Sequence, residues 1–222
     1  VSNDNITRIW HLENKSVVAQ TALQSGAWKC SYYPDGKRIA VASSSNSNPV
    51  VEVYDSFNAS RVFTLKGHEK RVRALDVSPD GKLIATGSLD STVRIWNAET
   101  GEELRKFGFK SGEKSIEIHD LQFSKSGENL VVSGFELIGV LNTKTWDLRK
   151  ANLNDFNEKN IVLNAWKVAF SPLEKTIAFG NWTGEVGLLD AETFKPIKIL
   201  PLHQVNVKSL AFSADGKTLT TA

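Results

Sequence analysis

Methionine is absent from this chain of 222 residues, cysteine occurs once, at Cys30, and histidine only four times. One cysteine excludes an internal disulfide framework and favours a reducing compartment. With so few histidines and cysteines, no spaced ligand set for a metal can be assembled, and no cofactor is expected. No apolar run approaches the ~18 residues of a membrane-spanning helix. Charge of one sign is also lacking. The 27 basic and 25 acidic residues leave a net charge of +2, too balanced for a general attraction to nucleic acid. Glycine-rich phosphate loops are missing, because the 15 glycines are scattered about one per turn. There is no signal-peptide pattern at the start, which together with Cys30 points to the cytoplasm. Lacking an initiating methionine, the chain is expected to be an excised or engineered part of a larger, multidomain protein.

What is present is a repeat. Residues 65–97, LKGHEKRVRALDVSPDGKLIATGSLDSTVRIWN, gather a Gly-His pair, a Ser-Pro-Asp-Gly turn, an aspartate and a tryptophan in one short unit. The turn recurs around Gly36, Gly81, Gly127, Glu174 and Gly216, at intervals of 42 to 47 residues. In the clearest copy four short strands are expected at Val72–Val77, Leu83–Gly87, Thr92–Trp96 and Glu103–Phe107. They are separated by Pro79-Asp80-Gly81, Leu89-Asp90-Ser91 and Glu99-Thr100-Gly101. Val, Ile, Thr and aromatic residues fill the strands, and no helical period is sustained. A unit of this size cannot bury its own apolar face, so neighbours must stack. Four-stranded units of this length predict an all-β architecture of propeller blades around a channel.

The Gly67-His68, Asp90 and Trp96 pattern resembles the WD-repeat (Trp–Asp repeat) β-propeller family. The resemblance is strong in this blade and weaker over the rest of the chain. It implies that His68, Thr86, Asp90 and Trp96 form a hydrogen-bonded set that locks the blade, with Asn97 in place of the family's closing aspartate. Such a set has a physical reason, since an unpaired buried polar group costs ~1–3 kcal/mol. The other blades place Tyr54, Leu141 and Leu189 where Trp96 stands and lack the histidine. They are expected to rely on apolar packing.

The two ends are complementary in sequence. Joined head to tail they read KTLTTA–VSNDNITRIW, mirroring KLIATGSLDSTVRIW with one extra turn residue. A second polar set of His203, Thr221, Asp4 and Trp10 is therefore expected across the termini. This gives a single propeller domain over 1–222 with five blades, the last one shared. The pieces fall at about 1–20 with 201–222, then 21–63, 64–107, 108–151 and 152–200. Sharing a blade would remove exposed sheet edges. A cut through a longer repeat array after whole periods would give the same phase match.

No catalytic constellation is visible. His68 and His203 are assigned to blade locking, His11 to the turn after Trp10, and His119 to a first strand without a spaced metal partner. Asp155 and Glu158 have no defensible pairing. The resemblance instead implies partner contacts on the face built from loops that enter the first strand and loops that join the second and third strands. By register this face holds Trp28, Arg71, Arg73, Leu89, His119, Phe135, Trp166, Trp182 and Lys208. Gly26, Glu117, Asn164 and Asn206 match Arg71, and the polar insertion Ser43–Pro49 lies on the same side. Trp and Arg dominate interface energetics. Trp182 and Arg73 read as binding groups, Trp10 and Trp96 as structural ones, and Trp28 and Trp166 fit either role.

The function expected is a non-catalytic scaffold for protein–protein interaction, holding a peptide or protein segment at this face. An acidic or acidic-plus-apolar segment would complement Arg71, Arg73 and Lys208. Two alternatives remain: a channel-mouth pocket for a modified-lysine peptide or small ligand, or a propeller enzyme, which would need clustered polar groups in the channel.

Overall fold

The computed structural model describes residues 5–13, 15–23, 26–152 and 164–222. The described residues contain β-strands and turns and no helix. The chain falls into two compact units, Val1–Gly108 and Phe109–Ala222.

The first unit opens with a two-stranded sheet, β1 (Ile6–His11) and β2 (Ser16–Ala22), so His11 ends a strand rather than lying in a turn. Two four-stranded blades follow. One runs β3 (Ala27–Tyr32), β4 (Arg38–Ser43), β5 (Val51–Asp55), β6 (Arg61–Leu65), and the other β7 (Val72–Val77), β8 (Leu83–Ser88), β9 (Thr92–Asn97), β10 (Glu103–Gly108). The second unit begins with a short hairpin, β11 (Lys110–Ser111) and β12 (Lys114–Ser115). Its two blades are β13 (Ile118–Phe123), β14 (Asn129–Gly134), β15 (Leu137–Asn142), β16 (Leu148–Lys150), and β17 (Ala165–Phe170), β18 (Thr176–Asn181), β19 (Glu185–Asp190), β20 (Pro196–Pro201). A last pair, β21 (Leu210–Phe212) and β22 (Leu219–Thr221), ends it. In each blade neighbouring strands pair antiparallel in chain order, and the four strands expected in the clearest repeat appear with ends shifted by at most one residue.

Burial follows position in the blade. The second strands β4, β8, β14 and β18 are buried along five of six positions, and their sequences are near-continuous apolar runs because both faces are covered. The fourth strand β10 is mostly exposed, and so is β20. In the first unit Tyr33, Ala42, Val53, Leu65, Leu75, Ile84 and Trp96 form the core between the two blades. In the second, Val131, Val140, Val168, Phe170, Ile177, Phe179 and Leu189 do the same. Four repeat turns put glycine in the left-handed region, at Gly36, Gly81, Gly127 and Gly216. Glu174, at φ 57°, takes that conformation in the remaining repeat and accepts hydrogen bonds from the Ser126 N–H and hydroxyl.

The blade-locking set forms as expected around Thr86. Its Oγ1 lies 2.7 Å from His68 Nε2 and accepts the Trp96 indole N–H at 2.9 Å. His68 Nδ1 meets Asp90 Oδ2 at 2.9 Å, and the Thr92 hydroxyl donates to Asp90 Oδ1 at 2.6 Å. Burial opposes ionisation of Asp90, but the donors His68, Thr92 and the Glu69 N–H outweigh it and hold the carboxyl well below the usual range. A Cβ at Gly67, whose φ is 148°, would collide with the Arg94 guanidinium, which donates to the Gly67 carbonyl at 2.6 Å and pairs with Glu103. The preceding blade reverses those charges: Glu52 stands opposite Arg61 at 2.8 Å and accepts the Tyr54 hydroxyl at 2.7 Å. At the Thr86 position the other blades carry Val41, Val132 and Phe179, all buried, so apolar contact replaces the polar hub.

Part of the second polar set is also seen: His203 Nε2 lies 2.7 Å from Thr221 Oγ1. Asp4 is outside the described residues, as are Asp155 and Glu158. Trp10 departs from its expected structural role. It is 56% exposed, although its pairing with the next strand slips at Val18 just as that of the buried Trp96 slips at Leu104.

Candidate functional site

One backbone device positions most of the expected face residues. The pairing of first with second strand slips by one residue between Ala27 and Lys29, Val72 and Ala74, Ile118 and Asp120, and Ala165 and Lys167. The residues left over are Trp28, Arg73, His119 and Trp166. A β-bulge at the same register in four strands re-aims four side chains that regular alternation would have placed with the sheet face. The signal was present in the sequence as a phase slip of the leading apolar residues: Val72, Leu75, Val77, then Ile118, Leu121, Phe123, and Ala165, Val168, Phe170. The spacing is three and then two, where an unbroken strand would repeat every second residue.

Hairpin turns supply the second row. Ser91 and Glu136, at φ 68° and 54°, and Gly184, at φ 93°, make the left-handed step between second and third strands. The residues one or two places earlier, Leu89, Phe135 and Trp182, project from the loops. Phe135 is 45% exposed and Trp182 52%, while Leu89 is half-buried and its N–H donates to the Arg71 carbonyl.

In the first unit the site is a cation–aromatic stack. The Arg73 guanidinium lies 4.8 Å from the centre of the Trp28 ring and that of Arg71 5.6 Å from it. Stacking holds both guanidinium groups against the indole. Trp28, Arg71 and Arg73 are all half-buried. The insertion Ser43–Pro49 is closed on itself by the Ser43 and Ser45 hydroxyls. It covers a cavity of ~130 Å³ over Val41 and Glu52.

In the second unit the site is aromatic. His119 is buried beneath Trp166, ring centres 4.6 Å apart, so it supports the site from below rather than presenting an imidazole to solvent. Trp166 meets Trp182 edge-to-face at 4.8 Å. Phe135 forms a backbone bridge with Asn164, two residues before Trp166. Glu117, about half exposed, approaches His119 Nε2 at 4.0 Å. Asn181 holds the Trp182 loop by accepting the Thr183 and Glu185 N–H groups and donating to the Glu185 carboxylate. Lys208 is exposed. Among the described residues no group of three His, Cys, Asp or Glu side chains could hold a metal ion.

Comparison with known proteins gives the family and the fold. The family model described as "WD domain, G-beta repeat" matches residues 59–97 and 194–222. Eukaryotic translation initiation factor 3 subunit I of Coccidioides immitis is 32% identical over 181 residues, covering 75% of this chain and 52% of that protein. The same subunit of Aspergillus oryzae is 30% identical over 182 residues, covering 78% and 53%. The chain thus spans about half the length of the curated relatives it matches. The Cps50 (Swd1) beta-propeller domain of Myceliophteria thermophila superimposes with a TM-score of 0.75 at 14% identity, over 90% of this chain and 62% of that one. This likeness gives the fold as a β-propeller. With the repeat at its measured period, the locked His68–Thr86–Asp90–Trp96 set and these matches, the chain belongs to the WD-repeat family.

Proposed function

We propose that this chain is a non-catalytic, cytoplasmic platform that holds a protein segment through its bulged first-strand residues, as a member of a multi-subunit assembly of the translation-initiation-factor-3 kind. The bulge repeated at one register in four blades carries this reading. Strand alternation would have spared the chain four irregularities, and they fall on Trp28, Arg73, His119 and Trp166. The relatives named as a subunit of translation initiation factor 3 supply the class of assembly. At the first unit's site Arg71 and Arg73 favour an acidic segment, since stacking on Trp28 has already met the ordering cost of their side chains.

The test uses purified fungal translation initiation factor 3 depleted of its own subunit I. The wild-type chain is expected to be retained by it. The double variant Arg73→Glu, Trp182→Ala should lose retention while keeping its melting temperature. Full retention by that double variant would remove these residues from the interface.

A further inference from the structure

We infer that the second unit's aromatic site takes a cationic side chain, an arginine or a lysine of the partner, against the exposed indole of Trp182. The inference rests on the binding reading above and gives that site its ligand class. The first unit shows what this register does with a tryptophan. Trp28 sits on a bulge and has two guanidinium groups over its ring, at 4.8 and 5.6 Å. Trp166 occupies the equivalent bulge, but its companion is another indole, Trp182, set edge-to-face at 4.8 Å. That arrangement sets the edge of one ring against the face of the other, and Trp182 stays 52% exposed to water. Among the described residues no cation is stacked on Trp182.

Charge around the site agrees. Glu117 lies on the approach to His119 and Trp166, half exposed, with its carboxylate 4.0 Å from His119 Nε2. Glu185 closes the Trp182 loop through Asn181 and Thr183. Two carboxylates beside two indoles attract a cation and repel an acidic segment, the reverse of the Arg71–Arg73 site. Two lysines stand near this register: Lys208, exposed on the strand-entry segment, and Lys167, beside Trp166 and paired with Asp120 at 3.7 Å. The acidic partner expected from sequence therefore suits the first unit's site and not this one.

The experiment titrates the full chain with N-acetyl-arginine amide, N-acetyl-trimethyllysine amide, the neutral N-acetyl-citrulline amide and the acidic N-acetyl-glutamate amide. The indole N–H resonance of Trp182, assigned by its loss in Trp182→Ala, is the readout. Both cationic probes should shift it saturably, binding at least about fivefold more tightly than citrulline, the ~1 kcal/mol of a solvent-exposed cation–π contact. Glu117→Gln should weaken the cations about twofold and leave citrulline unchanged. Equal shifts by citrulline, a preference for glutamate, or no shift by any probe would overturn the inference. Retention of the depleted factor is measured separately. Retention lost in Trp182→Ala without any cation preference would sink the ligand class and leave the binding surface standing.

Discussion

At the scale of single residues, one hydroxyl does much of the work in the blade of residues 64–107. Thr86 Oγ1 serves His68 and Trp96 at once, inside a fully buried site. Thr86→Val keeps the shape and leaves two polar groups without a partner. It should cost about 2 kcal/mol, read as a lower denaturant midpoint at unchanged slope. Asp90 adds a pH dependence with a definite sign. Its folded carboxyl titrates below the unfolded value of about 3.9. Its contribution is therefore complete above pH ~4 and lost as pH falls toward the folded pKa, and Asp90→Asn should flatten the acid limb of the stability curve. Tyr33 acts at the other end. Burial raises its hydroxyl to about 12, and that hydroxyl donates to the Ala98 carbonyl at 2.8 Å. Stability should be full below pH ~10 and decline between 10 and 12, less steeply in Tyr33→Phe. The locking set was legible in the sequence because its four residue types stand at fixed spacing. Trp10 was misleading for the same reason: it matches Trp96 in spacing and in strand pairing, yet it is exposed where Trp96 is buried.

At the scale of elements, strands and turns were readable, because the apolar second strands and the left-handed turn glycines are local facts. The bulge was not, since it is a relation between two strands, visible in one strand only as a three-then-two spacing. Its consequence can be tested through the glycine opposite. A Cβ on Gly134 would collide with the Glu117 carbonyl and the Ile116 side chain, where the chain enters the bulge of β13. Gly134→Ala should therefore cost about 1–3 kcal/mol and shift the indole resonances of Trp166, which lies against the bulged His119, and of Trp182, which lies against Trp166. Gly108→Ala has open space around it and should leave both unchanged.

At the scale of the whole molecule, the two units carry the same bulge and opposite chemistry. One holds arginines on an indole, the other indoles beside carboxylates. Sequence register gave the list of side chains but treated them as one face with one charge preference. Which cations were already stacked on an aromatic ring was decided by packing that no single strand encodes. The measurement that bears most directly on the central claim is the affinity of the depleted initiation factor for four proteins: wild type, Arg73→Glu, Trp182→Ala and the surface variant Lys82→Ala. We expect each of the first two variants to bind at least tenfold more weakly, with melting temperatures within about 2 °C of wild type, and Lys82→Ala to bind as wild type does. Equal affinity across all four proteins would contradict the assignment of the bulged residues and their loop neighbours as the recognition surface.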